Sequence, residues 1–222
     1  MYIGRIVSVG MGDFGKACVS YRVSSRSFPN RTAVVKANSV SIVPKPGHEM
    51  DIFQNPYIAY NCLRIVADNQ VAVISNGSHT DPIAEKIESG MSVRDAMVLS
   101  LLSLDFEHDQ YNTPRIVAIA DKRGEGSGWL GVVRENGLEV KRVPMRANVC
   151  FYVATYEENT LDDNFREALT ARSPEEACET ILYKGVFGER TNPVTAVAAM
   201  STTEGFEIAV KDALPTDASK SE

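Results

Sequence analysis

The order of two hydrophobic patterns along the chain is the strongest constraint on its fold. Short runs rich in β-branched residues, which are typical of strands, fall in three groups, and segments with helical spacing separate these groups. Strands are predicted at residues 2–9, 17–24, 38–43, 63–67, 70–75, 115–120, 129–134, 138–143, 149–156, 193–200 and 206–210. Because turn-forming pairs such as Asp68-Asn69 and Asn136-Gly137 join neighbouring runs into hairpins, we predict antiparallel sheets.

Three helices are predicted between these groups of strands, each from signals at its ends. Asp81 is interpreted as an N-cap followed by Pro82 in the first turn, and Gly90 as the stop. A second helix is predicted from Ser92 to about residue 108, and a third from Ser173 to about residue 186. The order of strands, two helices, strands, one helix and strands favours an α+β fold over a regularly alternating parallel sheet.

The length and composition are typical of one ordinary globular domain. The chain has 222 residues, of which 44% are hydrophobic and 23% are charged, and these fractions argue against collagen, coiled-coil and disordered classes. We expect a single domain over residues 1–211 and a polar, disordered tail over residues 212–222. No apolar run approaches the roughly 18 residues that a membrane helix needs, so we expect a cytoplasmic protein with no membrane partner.

Charge and cysteine usage argue against further classes. The formal net charge of −6 argues against a protein whose surface binds nucleic acid. The four cysteines are scattered singly and there are only three histidines, so neither a zinc site nor a disulfide framework is predicted. Residues 14–48 nevertheless contain no Asp or Glu, while several lysines and arginines lie among them. An acidic protein therefore carries one locally cationic segment.

Gly10, Gly12 and Gly15 match the spacing of a dinucleotide-binding loop, but their surroundings do not. That loop needs a following helix whose N-terminus meets the pyrophosphate, and an acidic residue about 20 positions later. Here a strand is predicted at residues 17–24, and no acid follows Asp13 until Glu49. We therefore interpret the three glycines as part of a hairpin loop.

The segment over residues 21–31 is the most informative in the chain, because it concentrates arginine and serine in the sequence YRVSSRSFPNR. Guanidinium and hydroxyl groups are donors that bind phosphate. Alternation along a strand would place Arg22, Ser24 and Arg26 on one face, where their donors could converge. The alternative is a solvated basic edge strand. We favour an anion-binding site.

Two polar clusters, at residues 55–62 and 75–81, flank the hairpin predicted between residues 63 and 75. The hairpin would bring both clusters to the same end of a sheet. The candidate site residues in them are Tyr60, Asn61, Asn76 and His79. Turns and helix caps explain many such polar residues, but they do not require tyrosine or histidine.

Glu107 lies in an acidic stretch at the predicted end of the second helix. Acidic side chains near a helix C-terminus oppose the helix dipole, which makes them mildly unfavourable unless they are paired or functional. Glu107 is therefore a candidate acid or base, with an ordinary surface acid as the alternative.

These motifs together resemble the archaeal-type inosine monophosphate cyclohydrolase family over nearly the whole chain before the tail. The segments that carry the resemblance are MYIGR (1–5), YRVSSRSFPNR (21–31), NPYIAYNC (55–62), SNGSHTD (75–81) and NTPR (112–115). The resemblance implies a fold similar to the N-terminal-nucleophile hydrolases, a four-layer α-β-β-α sandwich of two antiparallel sheets. Because the sequence starts Met1-Tyr2 and not with Cys, Ser or Thr, we do not expect a terminal nucleophile.

The resemblance also implies a reaction, the closure of the purine ring of 5-formamidoimidazole-4-carboxamide ribonucleotide to give inosine monophosphate and water. It implies a small-molecule nucleotide substrate and no metal or organic cofactor, and it leaves homo-oligomer formation open. The alternatives are an amide hydrolase with an internal nucleophile such as Cys62, and a nucleotide-binding regulatory module.

For this reaction we expect two sets of site residues. The predicted substrate-binding residues are Arg22, Ser24, Ser25, Arg26, Asn30, Arg31, Asn61 and His79. The predicted catalytic residues are Tyr60, Asn76, Glu107 and Arg26. A nearby arginine is expected to lower the pKa of the Tyr60 phenol, and burial to raise the pKa of the Glu107 carboxyl.

Overall fold

A computed structural model describes residues 1–214 of the chain. The strands in this range are β1 (Ile6–Met11), β2 (Ala17–Ser24), β3 (Arg31–Lys36), β4 (Ser39–Pro44), β5 (Tyr60–Val66), β6 (Val71–Ser75), β7 (Arg115–Asp121), β8 (Ser127–Arg134), β9 (Gly137–Val143), β10 (Val149–Ala154), β11 (Arg166–Ala168), β12 (Pro193–Ser201) and β13 (Phe206–Asp212). The α-helices are α1 (Asp51–Gln54), α2 (Thr80–Glu88), α3 (Val93–Leu104), α4 (Pro174–Tyr183) and α5 (Gly185–Gly188), and short 3-10 turns occur at Asp13–Gly15 and Pro56–Ile58.

The strands form two antiparallel sheets, which confirms the α+β prediction. One sheet has the order β11-β10-β1-β2-β12-β13, and the other runs in sequence order from β3 to β9. Every named strand pair is antiparallel. The hairpins predicted around residues 68–69 and 136–137 are present as β5-β6 and β8-β9.

The two sheets pack face to face, and helices cover their outer faces. The core between the sheets combines apolar residues of both, such as Val9 and Val19 from one sheet and Ile74 and Ala118 from the other. Helices α4 and α5 pack on the outer face of the sheet that contains β1, and α2 and α3 pack on the outer face of the other. Since side chains alternate along a strand, central strands such as β1 and β7 contribute residues both to the intersheet core and to a helix-covered core.

Two of the three predicted helix starts are confirmed by their caps. The side chain of Ser92 accepts a hydrogen bond from the backbone N–H of Asp95 at the start of α3. The side chain of Ser173 accepts one from the N–H of Glu176 at the start of α4. Such caps satisfy backbone donors that a helix N-terminus otherwise leaves unpaired.

The predicted cap of α2 is wrong. His79 occupies the N-cap position, and Asp81 lies inside the first turn. The carboxylate of Asp81 instead accepts hydrogen bonds from Arg64 and Asn61 on β5. Asp81 therefore ties α2 to the sheet beneath it, a tertiary role that the local Asp-Pro pattern did not indicate.

The glycine motif forms a hairpin loop, as the sequence predicted. Strands β1 and β2 on either side are antiparallel neighbours, and a single 3-10 turn lies between them. A Cβ on Gly10 would lie 2.1 Å from the carbonyl oxygen of Val149, and one on Gly12 would lie 2.4 Å from that of Ala171. These glycines therefore permit close backbone approach within the protein.

Three features differ from the prediction or extend it. Strand β3 was not predicted; its first residue, Arg31, belongs to the segment interpreted as an anion-binding loop. Strand β13 continues to Asp212, so the predicted tail starts too early, and residues 215–222 of that tail lie outside the described range. No helix within residues 1–214 is long and apolar enough to cross a membrane.

Candidate active site

A cavity of about 650 Å³ opens at one end of the two sheets. The strand ends that meet there include the start of β1, the end of β2, the start of β5 and the end of β10. Its walls also include the loop after β2, the segment before β5 and the loop after α3. The residues that line the cavity include Arg5, Ser24, Ser25, Arg26, Asp109 and Tyr156.

The loop after β2 brings three of the predicted substrate-binding residues to this cavity. Ser24 and Ser25 are buried in its wall, and the Ser25 hydroxyl accepts a hydrogen bond from the backbone N–H of Phe28. Arg26 is exposed, and its guanidinium lies 4.3 Å from the centroid of the Tyr2 ring, which is within cation–π range. A cation and hydroxyl groups therefore meet at the cavity mouth.

A pair of buried tyrosines lies between the sheets next to the cavity. Tyr21 on β2 and Tyr60 at the start of β5 join their hydroxyl groups at 2.6 Å. Burial raises the pKa of Tyr60, and the opposing influence of Arg31 and Arg5 is smaller. The expected lowering of this pKa is therefore wrong in its net direction, and the phenol is a proton donor at neutral pH.

Two buried arginines beside these phenols have few protein partners. The guanidinium of Arg5 makes no hydrogen bond to any residue between 1 and 214, and its Nε is fully enclosed. Arg31 donates from Nε to the carbonyl of Phe28, but its Nη1 has no partner in the same range. Burial by itself lowers the pKa of Arg5, but attraction to Glu107 and to nearby phenols outweighs this and raises it. Both side chains remain cations.

Glu107 is completely buried next to these cations. Its Oε1 lies 3.5 Å from Nη1 of Arg115, and its Oε2 has no hydrogen-bond partner among residues 1–214. Burial raises the pKa of Glu107, although Arg5 and Arg115 act against the rise. The backbone positions the side chain, because the chain reverses at Asp105, where φ is 55°, and the N–H of Glu107 then donates to the carbonyl of Thr113.

The segment after β6 packs against this carboxylate. His79 is buried, and its Nε2 lies 3.0 Å from the carbonyl of Ile116, so Nδ1 carries the lone pair and has no partner within residues 1–214. Burial, assisted by Arg115, lowers the pKa of His79 to about 3. A Cβ on Gly77 would lie 2.9 Å from Arg115, 3.0 Å from Glu107 and 3.3 Å from His79. A larger residue at this position would therefore require the ends of these side chains to shift.

Asn76 has a different role from the catalytic one predicted. Its amide oxygen accepts from the backbone N–H of Ile116, and its amide nitrogen donates to the carbonyl of Pro114. Because both groups of the amide are used on one backbone segment, Asn76 fixes the position of neighbouring Arg115. Its side chain therefore makes contacts with the backbone in place of the predicted catalytic contact.

Arg22 does not reach the cavity, and its predicted contact with substrate is corrected. Strand alternation turns its side chain to the outer face of the sheet, opposite to Tyr21. There its guanidinium donates to the carbonyls of Ile181, Leu182, Phe187, Arg190 and Thr191, and Nε donates to Ser24. Burial lowers its pKa to about 10, and it stabilises the ends of α4 and α5.

Asn61 and Asn30 also lie apart from the cavity, so their predicted roles in binding are corrected. Asn61 follows Tyr60 on β5 and therefore points to the opposite face, where it donates to Asp81 and accepts from Ser41. The amide of Asn30 lies 3.2 Å from Nδ1 of His48. Both pairs are local contacts away from the cavity.

Arg5, Tyr21 and Arg115 lie among the candidate site residues, although the sequence prediction did not select them. Arg5 and Arg115 lie at the start of apolar strands, and both are less than a tenth exposed. A lone arginine next to an apolar strand was the available signal, since charged side chains are seldom buried without a partner. The free thiol of Cys62 is also buried, and burial raises its pKa, which disfavours the internal nucleophile considered as an alternative.

Comparison with known proteins gives the same family along almost the whole chain. The model of the family described as IMP cyclohydrolase-like protein matches residues 2–205. A protein of Methanosphaera stadtmanae named IMP cyclohydrolase is 49% identical over 96% of this chain and 100% of its own length. Proteins with the same name from Methanococcus maripaludis and Methanocaldococcus jannaschii are 42% and 40% identical, and each alignment covers at least 94% of this chain and 99% of the relative. The chain therefore belongs to the IMP cyclohydrolase-like family.

Proposed function

We propose that this protein is an IMP cyclohydrolase, which closes the purine ring of 5-formamidoimidazole-4-carboxamide ribonucleotide to give inosine monophosphate and water. Family membership and the names of full-length relatives support this activity. The structural observation that carries it is the group of buried, unpartnered polar atoms of Arg5, Arg31 and Glu107 beside an open cavity. Such atoms are costly unless a ligand or ordered water satisfies them.

The surplus of positive charge supports an anionic substrate. Arg5, Arg31 and Arg115 surround the single buried carboxylate of Glu107. We propose that Arg26 and Ser25 bind the phosphate at the mouth, because guanidinium and hydroxyl donors suit phosphate oxygens, whereas the Ser24 hydroxyl accepts a hydrogen bond from Arg22 on the outer face of the sheet. The deeper arginines would then face the formamide and carboxamide groups. Binding of the remote phosphate helps to fix the reacting end of the substrate.

In the ring closure, the carboxamide nitrogen attacks the formyl carbon of the same molecule. A new C–N bond forms, negative charge develops on the formyl oxygen, and the nitrogen loses a proton. Holding both groups in a near-attack pose supplies much of the acceleration, since well-oriented intramolecular reactions gain roughly 7 to 11 kcal/mol. The resulting hydroxyl then takes up a second proton and leaves as water, while the former formamide nitrogen loses its proton and forms the C=N bond that completes the aromatic ring.

We assign the two proton transfers of the attack step to Glu107 and Tyr60, and the two of the dehydration to the same groups, with the proton held by Glu107 passing to the hydroxyl and the formamide N–H proton returning to Tyr60. The ionised Glu107 carboxylate takes the proton from the carboxamide nitrogen, and the Tyr60 phenol donates to the formyl oxygen. The raised pKa values of both groups suit these tasks, because a raised carboxyl pKa makes a stronger base and a raised phenol pKa keeps the donor protonated. Arg5 and Arg31 stabilise the developing negative charge.

The direct test is incubation of the purified protein with the formamido nucleotide while the ultraviolet spectrum is followed. Ring closure produces a purine spectrum, whereas an amide hydrolase or a binding module does not. We expect Arg26→Ala to lower kcat/KM by more than about tenfold, because one charged hydrogen bond to phosphate is lost. Lys16→Ala, which removes a cation whose side chain bonds to the carbonyl of Arg172, is the matched control. Absence of a purine product with the unmodified protein would refute the assignment.

The same proposal extends to the fold and to domain organisation. Two antiparallel sheets packed face to face, with helices outside each, support a likeness to the N-terminal-nucleophile hydrolases. We treat residues 1–211 as one domain, because strands from both halves of the chain are neighbours in the sheet that contains β1. Limited proteolysis that released a stable fragment ending well before residue 211 would contradict a single domain.

A further inference from the structure

One hydroxyl in the cavity wall has its direction set by a chain of hydrogen bonds. Tyr156 follows β10 and lines the cavity, and its hydroxyl lies 2.9 Å from Oγ1 of Thr113. Oγ1 of Thr113 in turn lies 2.8 Å from Oδ2 of Asp109. Thr113 is completely buried, so no solvent competes for its hydroxyl group.

The order of the protons in this chain follows from what each group can donate. A carboxylate only accepts, so the single hydroxyl proton of Thr113 is donated to Asp109. The oxygen of Thr113 is then left as the acceptor for Tyr156, whose raised pKa, caused first by burial, keeps its proton in place. The Tyr156 hydroxyl proton therefore points away from the cavity, and only lone pairs of its oxygen remain for a ligand.

Other contacts hold both ends of the chain in place. The second carboxylate oxygen of Asp109 accepts from the backbone N–H groups of Tyr111 and Thr113, at 3.1 and 3.0 Å. At the other end, a Cβ on Gly4 would lie 2.7 Å from the ring of Tyr156, so the ring packs directly on glycine backbone. Neither the carboxylate nor the phenol can turn without breaking these contacts.

We propose that Tyr156 is a specificity-determining residue of the cyclohydrolase site, which accepts a hydrogen bond from an N–H or O–H group of the nucleotide, with Asp109 and Thr113 as positioning residues. This inference rests on the proposed function. Asp109 and Glu157 are the carboxylates in the cavity wall, beside the cations Arg5 and Arg26. Asp109 orients two hydroxyl groups so that the cavity presents an acceptor among many donors.

Asp109→Asn reverses the direction of donation along this series of hydrogen bonds, with little change in the shape of the side chain. The amide oxygen of the introduced side chain keeps both backbone hydrogen bonds, while its NH₂ group donates to Thr113, which then donates to Tyr156. The phenol must now point its proton at the donor of the ligand. We expect kcat/KM to fall about thirtyfold in this variant, and about tenfold in Tyr156→Phe, which removes the acceptor. The melting temperature of Asp109→Asn is expected to stay close to that of the unmodified protein.

The double variant Asp109→Asn with Tyr156→Phe separates orientation from structure. Without the phenol hydroxyl its direction cannot matter, so the double variant should equal Tyr156→Phe within about twofold. A structural defect from Asp109→Asn would instead multiply with the tyrosine change and refute the inference. Asp162→Asn is the matched control, because this carboxylate also accepts a backbone N–H in a turn but lies on the exposed surface, and it should leave kcat/KM unchanged.

Two ligands identify which group Tyr156 contacts. Inhibition by inosine monophosphate is compared with inhibition by its 2′-deoxy form in the unmodified protein and in Tyr156→Phe. If the ribose hydroxyl is the donor, the 2′-deoxy form binds more weakly only when Tyr156 is present; an equal loss in both proteins assigns the donor to another N–H or O–H group. Unmodified protein without cyclase activity would refute the proposed function, whereas active protein with an unaffected Asp109→Asn variant would refute only the role of Tyr156.

Discussion

Two sets of buried arginines in this protein differ in how their donors are used. Arg22 lies under α4 and α5, and five backbone carbonyls and one hydroxyl accept its hydrogen bonds. Arg5 and Arg31 lie between the sheets. The guanidinium of Arg5 has no hydrogen-bond partner within residues 1–214, and that of Arg31 donates to a single carbonyl. Arg22 therefore stabilises the fold, while donors of the other two are left for a ligand or ordered water.

The difference shows that burial and residue type do not by themselves indicate function. All three side chains are less than a tenth exposed, and two of them belong to the same cationic segment of the sequence. Hydrogen-bond satisfaction separates them, because an unsatisfied buried donor costs roughly 1 to 3 kcal/mol and remains only where something compensates. The predictions below test this separation.

The largest effect on activity is expected for Glu107→Gln. This substitution removes the proposed general base, which is one of the buried side chains whose polar atoms lack hydrogen-bond partners. We expect kcat to fall by about 10² to 10⁴-fold, the range for loss of general acid–base catalysis, with the fold retained. Glu158→Gln is the control, because Glu158 also has a buried carboxylate oxygen without a partner among residues 1–214 but pairs with Arg190 away from the cavity. Comparable losses of kcat in both variants would contradict the separation.

Arg22→Met should destabilise the fold and spare the chemistry. Removing the donor leaves several buried carbonyls unsatisfied, so we expect the free energy of unfolding to fall by about 3 kcal/mol. Denaturant titration followed by intrinsic fluorescence measures this loss. The fraction that remains folded should keep kcat within about threefold of the unmodified protein. A loss of kcat without a loss of stability would instead support a catalytic role for Arg22.

Arg5→Met should have the opposite profile. The substitution removes a buried guanidinium that has no hydrogen-bond partner within residues 1–214, but it also removes the attraction to Glu107, so the free energy of unfolding is expected to fall by less than in Arg22→Met. Activity should fall by roughly fiftyfold in kcat/KM, because a charge that stabilises the transition state is lost. Parallel measurements of unfolding and turnover in Arg5→Met and Arg22→Met form a crossed test. Equal stability losses in the two variants would remove the distinction between the two regions.

The smallest effect is on the pH dependence of the reaction. Burial raises the pKa of Glu107, and the base acts only when ionised, so kcat/KM should decline as pH falls through a value above that of an ordinary glutamate. For stability the sign is opposite: a folded-state pKa above the unfolded value favours the fold at low pH, and this contribution is lost as pH rises through the folded pKa. A pH–rate profile of the unmodified protein and of Arg22→Lys should share this acid limb, since Arg22 lies outside the cavity.

The sequence predicted the layout of the fold better than the contents of the site. Strand alternation, hairpin turns and helix caps are local signals, so the two antiparallel sheets and the starts at Ser92 and Ser173 were accessible. The local Asp-Pro signal failed at Asp81, because a tertiary contact with Arg64 uses that carboxylate.

The site was harder to predict because the side chains that meet depend on which face of each strand points to the cavity. Alternation was extended from Arg22 to Arg26, but β2 ends at Ser24, and the sequence does not say which face of β2 turns to the cavity. Arg22 and Asn61 were therefore selected, although their neighbours Tyr21 and Tyr60 point between the sheets. Arg5 and Arg115 lie outside the cationic segment. They can be recognised as candidates only in the folded structure, where the strand ends meet.

Gly77 illustrates how a residue without a polar side chain can be important for a site. It contributes no charge, proton or hydrogen-bonding side chain, yet a single methyl group there would meet Arg115, Glu107 and His79 at once. A library that varies every polar residue around the cavity would leave this position untouched and never reveal its importance. Attempts to redesign the enzyme for bulkier substrates should therefore keep this glycine and seek extra room at the outer rim.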